Sequence, residues 1–295
     1  MTNPQKDFIT GIKEEVESAD TVDVKLDRYG YHIAGKHYRR TTSITGGGIA
    51  KPWLAAWKAK MVAEFAVHHI DIWKDLPTLQ DKINLLKKHP DSKRDAAGAR
   101  GTAVHNTLEA LVNGDPIPED LTEDELACSR AAAKFLQERN DKALSTEMTI
   151  FNPTLNYAGT LDLWTIDSNG QTWILDYKTS SGIYPEHAVQ QIAYQNAEFA
   201  IVSKKVVQEG ATQVWEGKVI PFHRSYAQRL GLVHVEPNRA TLHEIAPDQH
   251  QHLYRTFRAA DFMTKFLKDT STFKGKTPTR QIFAEGIVTS TEGNK

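Results

Sequence analysis

A single cysteine, Cys128, is all that the 295 residues contain. Within one chain this excludes an internal disulfide, a cysteine-based zinc site and an iron–sulfur cluster. Cys128 lies in an alanine-rich stretch with helical spacing, where inert core is the expected role. No run of roughly 18 apolar residues is present, so no membrane span is expected. The opening Met1 to Asp7 lacks the apolar centre of a signal peptide, and cytoplasmic residence is the expectation. The net charge is only −1. A grip on a polyanion must therefore come from a local basic patch or a bound metal, not from bulk charge. Gly46 to Gly48 lacks the Lys-Ser/Thr ending of a phosphate loop and reads as a flexible joint. No helicase motif of the Walker type is found elsewhere. The apolar and charged fractions, 40% and 25%, are those of an ordinary globular protein, with room for one large domain or two small ones.

Helical spacing over 8–19 predicts a leading helix, and alternation from Val22 to Tyr38, broken by Gly30 and Gly35, predicts a hairpin or small meander. Pro52 opens a helix to His69, with Trp53, Trp57, Met61 and Phe65 at four-residue steps. This aromatic seam suits core packing, with base stacking as the second reading. Lys51, Lys58 and Lys60 flank it. A lysine-rich helix over Leu79 to His89 is expected to end at Pro90, followed by a polar connection and another helix over 96–112. Residues 121–140 read as a helix, with Thr122 and Glu125 forming a capping box. The period then returns to two. Strands are predicted at 145–151, 155–166 and 172–177, with a turn at Asp167 to Gly170. A helix over 185–203, strands over 213–223 and 229–245, and a helix over 248–268 complete the pattern. The expected class is α/β, with an α-rich N-terminal extension. The expected division is an N-terminal hairpin and helical extension over 1–95, a core over 96–272 and a loosely ordered tail over 273–295.

The hairpin 155–177 carries the chemistry. Asp162 lies five residues before the turn and Asp176 six after it, so antiparallel pairing sets them near one another. Lys178, two residues from Asp176, projects from the same face. Two carboxylates beside apolar Trp173, Ile174 and Leu175 cost several kcal/mol unless partnered. Lys178 offsets one charge, and a divalent cation is the natural remainder. Asp-x-Lys alone also suits an ion pair on a half-exposed strand. His68, His69, His250 and His252 have no carboxylate at ligand spacing and read as surface.

Four pieces, in order over residues 101–194, resemble the RecB-like and Cas4-like branch of the PD-(D/E)XK nuclease superfamily. Gly101 to His105 resembles its Gly-x-x-x-His motif, and Gly159 to Asp162 its Gly-x-x-Asp motif. Asp176 to Lys178 resembles Asp-x-Lys, and Gln190 to Tyr194 resembles Gln-x-x-x-Tyr. Residues 50–57 are loosely similar to the lead-in helix of phage-encoded relatives. The resemblance implies a restriction-endonuclease-like core, a mixed central sheet flanked by helices. It also implies phosphodiester hydrolysis assisted by Mg²⁺ or Mn²⁺. By that resemblance Asp162, Asp176, His105 and the backbone carbonyl of Tyr177 bind metal. Lys178 positions the attacking water, and Gln190 and Tyr194 hold the lysine or the strand. Glu109 and Glu147 are left open as contributors. Many relatives carry a four-cysteine cluster, which this chain lacks.

The expected function is a stand-alone, metal-dependent DNA exonuclease acting on single strands or duplex ends in recombination, replication or repair, phage or bacterial. The rivals are a structure-selective endonuclease with the same site and a non-catalytic DNA-binding accessory protein. A separate annealing protein or helicase is the expected partner class, with no membrane involved.

Overall fold

The alternation near the N-terminus forms three short strands, β1 (Thr21–Asp27), β2 (Gly30–Ile33) and β3 (Lys36–Arg40), behind helix α1 (Pro4–Ser18). The computed structural model describes residues 4–203, 207–209 and 212–267. Four helices follow: α2 (Thr41–Gly48), α3 (Pro52–His68), the single turn α4 (Ile70–Trp73) and α5 (Leu79–Asn113). Then comes α6 (Glu123–Arg139), closed at its start by the expected capping box of Thr122 and Glu125. The hairpin region gives β4 (Lys142–Asn152), β5 (Tyr157–Ile166) and β6 (Thr172–Lys178). After these come α7 (Pro185–Gln195), β7 (Phe199–Ser203), β8 (Val207–Glu209), β9 (Thr212–Pro221), β10 (Arg229–Glu236), β11 (Arg239–Glu244) and α8 (His250–Phe266). The fold is mixed α/β, with one large mixed sheet flanked by helices. Among the described residues, no helix is long and apolar enough to cross a membrane.

The sheet runs β11-β10-β6-β5-β3-β2-β1-β9-β7-β4, and β4 also pairs with β5. Seven strands thus close on themselves, from β5 through β3, β2, β1, β9 and β7 to β4 and back. Val24, Tyr31, Ile33, Phe151, Ile201 and Trp215, from five of these strands, pack together as one buried cluster. The part of the sheet that holds β5, β6 and β10 is covered on both faces. On one face, Val104 and Leu108 of α5 and Cys128 and Ala132 of α6 pack on Leu163, Leu175, Tyr177 and Val233. On the other, Val189 and Ile192 of α7 and Phe257 of α8 pack on Leu161, Ile174 and Leu232. Both faces of β6 are therefore buried, which explains its nearly unbroken apolar run. Trp164 is fully buried, a contribution of about 1.5–3 kcal/mol for a side chain of this kind.

Four local expectations change. Gly46 to Gly48 form the last turn of α2 and not a joint. A Cβ on Gly48 would sit 2.3 Å from the carbonyl oxygen of Ala260, so the missing side chain lets α2 approach α8. Pro90 does not end a helix; α5 runs through it. The loss of one helical hydrogen bond there is offset by packing on α3: the His89 ring stacks on Phe65 at 4.1 Å, and Lys58 pairs with Asp91. The expected helix 185–203 stops at Gln195, and its β-branched end, Ile201 and Val202, forms β7 between β4 and β9. The seam on α3 is not core, because no residue of that helix is buried. Position 95, the expected edge of the extension, lies inside α5, while β1 and β3 pair with β9 and β5. The tail expected over 273–295 lies outside the described residues.

Candidate functional site

The turn at Asp167 is built as its sequence suggests: Asp167 Oδ1 accepts from the amides of Asn169 and Gln171. It fixes the register of β5 and β6, which runs from Ile166↔Thr172 to Leu163↔Leu175 and then stops. Beyond that point the first residues of β5, Tyr157 and Ala158, pair with β3 instead. A fork opens at Asp162 and Asp176. The backbone of Tyr177, which has no β5 partner in the fork, is satisfied by side chains. Its N–H donates to Asp162 Oδ2 at 2.7 Å, and its carbonyl oxygen accepts from His105 Nε2 at 3.0 Å.

β4 contributes the third acid. The pairs Thr146↔Leu163 and Met148↔Leu161 set Glu147 opposite Asp162. Glu147 has φ +44°, unusual for a residue with a side chain inside a strand. The facing strand is irregular at the same level. Leu161 and Leu163, two residues apart, pack into cores on opposite faces of the sheet, whereas regular alternation would put them on one face. His105 reaches in from α5, its Nδ1 lying 3.5 Å from Asp162 Oδ1 and 3.8 Å from Glu147 Oε1. Ligand atoms of His105, Glu147 and Asp162 all lie within 4.8 Å of one another, and this is the one such group among the described residues. They line a shallow cleft with Glu109, Thr146 and Tyr177 among its other walls.

Asp176 falls outside that trio. Its carboxylate is buried, with Oδ2 2.5 Å from Lys178 Nζ, while Oδ1 has no hydrogen-bond partner among the described residues. Burial is the foremost influence on both acids. It pushes the carboxyls of Asp162 and Asp176 up, against the pull of Lys178 and His105. Burial acts on Lys178 in the opposite sense, yet Asp176 and Asp162 outweigh it and hold the ammonium charged. His105 behaves similarly: burial alone lowers it, but Asp162 and Glu147 carry it up to about 10. Without a metal the imidazole is a cation whose Nε2–H donates to Tyr177. The site is a cluster of acids held by two cations of the protein itself.

The remaining motif residues converge on this fork. Gln190 Nε2 donates to Tyr194 Oη at 2.6 Å, and the buried Tyr194 hydroxyl is pushed well up by burial and by Asp176. Gly159 explains itself here. A Cβ on it would lie 2.5 Å from Tyr194 Cε1 and 3.0 Å from Thr41 Oγ1. Gly101 lies against Thr179, whose backbone oxygen also accepts from Arg100 at 3.1 Å. The small residue thus lets α5 descend on the end of β6, where His105 finds Tyr177.

The structure therefore gathers His105, Asp162, Asp176, Tyr177, Lys178, Gln190 and Tyr194 around one fork, of which spacing alone had brought together Asp162, Asp176 and Lys178. The Tyr177 carbonyl, expected as a metal ligand, is taken by His105. Glu147, left open by the sequence as the acid that begins the first core strand at a position often acidic in the resembled family, joins the trio. Glu109 lines the cleft, but no hydrogen bond joins it to His105; burial, then Asp115, raise its carboxyl. His187 was missed: its ring is brought down to about 4 by burial and next by Lys178, which sets it beside the site. His68, His69 and His252 are exposed as read, whereas His250 is buried and bonds the carbonyl of Ile245. Cys128 is buried core. A scan against protein-family models finds no match to this chain, and no curated protein matches it.

Proposed function

We propose that this chain is a Mg²⁺- or Mn²⁺-dependent deoxyribonuclease with a restriction-endonuclease-like core of the PD-(D/E)XK type, working as an exonuclease on single strands or duplex ends. The observation that supports it most is the β5–β6 fork, where Asp162 and Asp176 gather beside Lys178 and Glu147 faces Asp162 from β4. The donors suit the cation. Carboxylate oxygens match a hard divalent ion, one imidazole favours Mn²⁺ among such ions, and the buried Asp176 Oδ1 has no hydrogen-bond partner among the described residues. His105, Glu147 and Asp162 would hold it, with Asp176 adjoining.

A divalent cation in such a site polarises a phosphoryl oxygen and makes bound water more acidic. The protein's own groups do the rest. Asp176 fixes the Lys178 ammonium at 2.5 Å, and a charged lysine orients a water by donating to it. Tyr194 and Gln190 brace the wall behind Asp176, and Gly159 leaves space for that brace. His105 must give up a proton to offer a lone pair to a cation, so metal binding and deprotonation are linked.

Purified protein incubated with end-labelled linear and with circular single-stranded DNA, in Mn²⁺ or in EDTA, tests the reading. Loss of linear strands alone, only with metal, is expected. Cutting of circles means an endonuclease with the same site, and binding without cleavage means an accessory protein.

A further inference from the structure

Trp53 is an aromatic that the fold does not cover: it is 43% exposed, although it sits in the first turn of α3. Its ring nevertheless has a partner on one face. It stacks on Tyr184 with centroids 5.1 Å apart and planes 13° from parallel. Tyr184 is itself held in place. Its hydroxyl pairs with Ser181 Oγ at 2.8 Å, and its N–H donates to His187 Nδ1 at 3.2 Å. The next ring inward is His187, edge-on to Tyr184 at 5.5 Å. The helix that carries His187, α7, packs on β6, the strand that ends in Lys178. Lys51 Nζ bonds Glu186 Oε1 at 2.8 Å, which ties the start of α3 to the start of α7. Three rings in contact therefore lead from solvent towards the helix that packs on the Lys178 strand. Nothing among the described residues lies on the outer face of Trp53 as a further ring partner, while a second face of the same indole is already stacked.

We propose that the exposed face of Trp53 is a stacking position for an unpaired nucleobase of a strand whose phosphate lies at Lys178. This rests on the nuclease reading and names what that site recognises: bases that are free to stack, hence single strands or frayed ends. A stacking ring is tolerant of sequence, because every base offers a π-face. One face of the indole is stacked on Tyr184 and the other is open to solvent, the arrangement a base could complete.

The test compares binding of a nuclease-resistant phosphorothioate oligothymidylate with that of an abasic phosphorothioate strand of equal length, in Mn²⁺. Trp53→Ala should weaken the thymidylate roughly tenfold or more and leave the abasic strand nearly unchanged. Trp53→Phe, which keeps the packing on Tyr184, should restore most of the loss. Equal weakening of both strands, or none, overturns the stacking role while leaving the nuclease reading intact. Wild-type protein that neither holds these strands nor cuts ordinary DNA overturns both. Thermal melting of each variant separates a lost contact from a lost fold.

Discussion

Glu147 provides the sharpest test of the site because its backbone and its carboxylate make separate predictions. A side chain at φ +44° inside a strand costs on the order of 1–2 kcal/mol, since Cβ meets the neighbouring carbonyl. Elsewhere in a strand, replacing glycine by alanine gains roughly 0.5–1 kcal/mol, because glycine loses more freedom on folding. At 147 the order should reverse. Glu147→Gly relieves the strain, whereas Glu147→Ala keeps it, so the glycine variant should be the more stable by roughly 1 kcal/mol. For 295 residues, at about 2.1 cal/mol/K of unfolding entropy per residue, that is about 1.6 °C in melting temperature. Melting in EDTA removes any contribution of bound metal.

The carboxylate is tested by adding Mn²⁺. A cation that binds only the folded protein stabilises it by about 2.7 kcal/mol at a hundredfold excess over its dissociation constant. Wild-type protein should show this rise in melting temperature, and both variants should lose most of it. An alanine variant as stable in EDTA as the glycine variant refutes the strain argument. An undiminished Mn²⁺ response in either variant removes Glu147 from the ligand set.

Four further outcomes follow. Asp176→Ala should abolish cleavage with the fold retained, as checked by circular dichroism beside the DNA assay; an active variant takes Asp176 out of the site. Lys178→Ala should lower turnover far more than Mn²⁺ affinity, and calorimetry showing lost affinity contradicts its assigned role. Gly159→Ala sets a methyl 2.5 Å from Tyr194, an overpacking worth about 1–3 kcal/mol in urea denaturation, with turnover falling as Tyr194 shifts. His105, raised to about 10 from an ordinary value of 6.5, stabilises the metal-free fold fully below pH 6.5 and loses that contribution as pH climbs through 10. Stability in EDTA should therefore fall across that window, and the fall should be smaller in His105→Gln.

What the sequence discloses is the part set by local rules. The Asp167 turn and two-residue alternation suffice to put Asp162 beside Asp176, and helical spacing suffices to put Gln190 under Tyr194. The capping box at Thr122 forms as written. What stays hidden depends on partners distant in the chain. Pro90 reads as a helix end unless Phe65 and Lys58 are known to lie against it. Ile201 and Val202 read as a helix end until β4 and β9 offer edges on either side. Glu147 is the clearest case. Its part in the site follows from an unusual φ, which no residue pattern announces, although an acid on the strand next to Asp162 was a hint.

The fork itself explains why these residues share one place. β5 cannot pair with both β6 and β3 along the same edge over the same residues, so the ladder must change partners near Asp162. Where it changes, Tyr177 keeps β10 on one side but has no β5 partner on the other, and a buried unpaired group costs about 1–3 kcal/mol. Asp162 and His105 supply the missing bonds. Two of the candidate ligands are thus also the groups that close the end of the ladder. Asp176 has no such structural duty: among the described residues its side chain pairs with Lys178 and its Oδ1 has no hydrogen-bond partner. Chemically alike, the two aspartates are unequal, one fastening the fork and the other held in reserve by a lysine. A site assembled this way keeps its shape without metal, because the same hydrogen bonds that end the sheet also aim the acids.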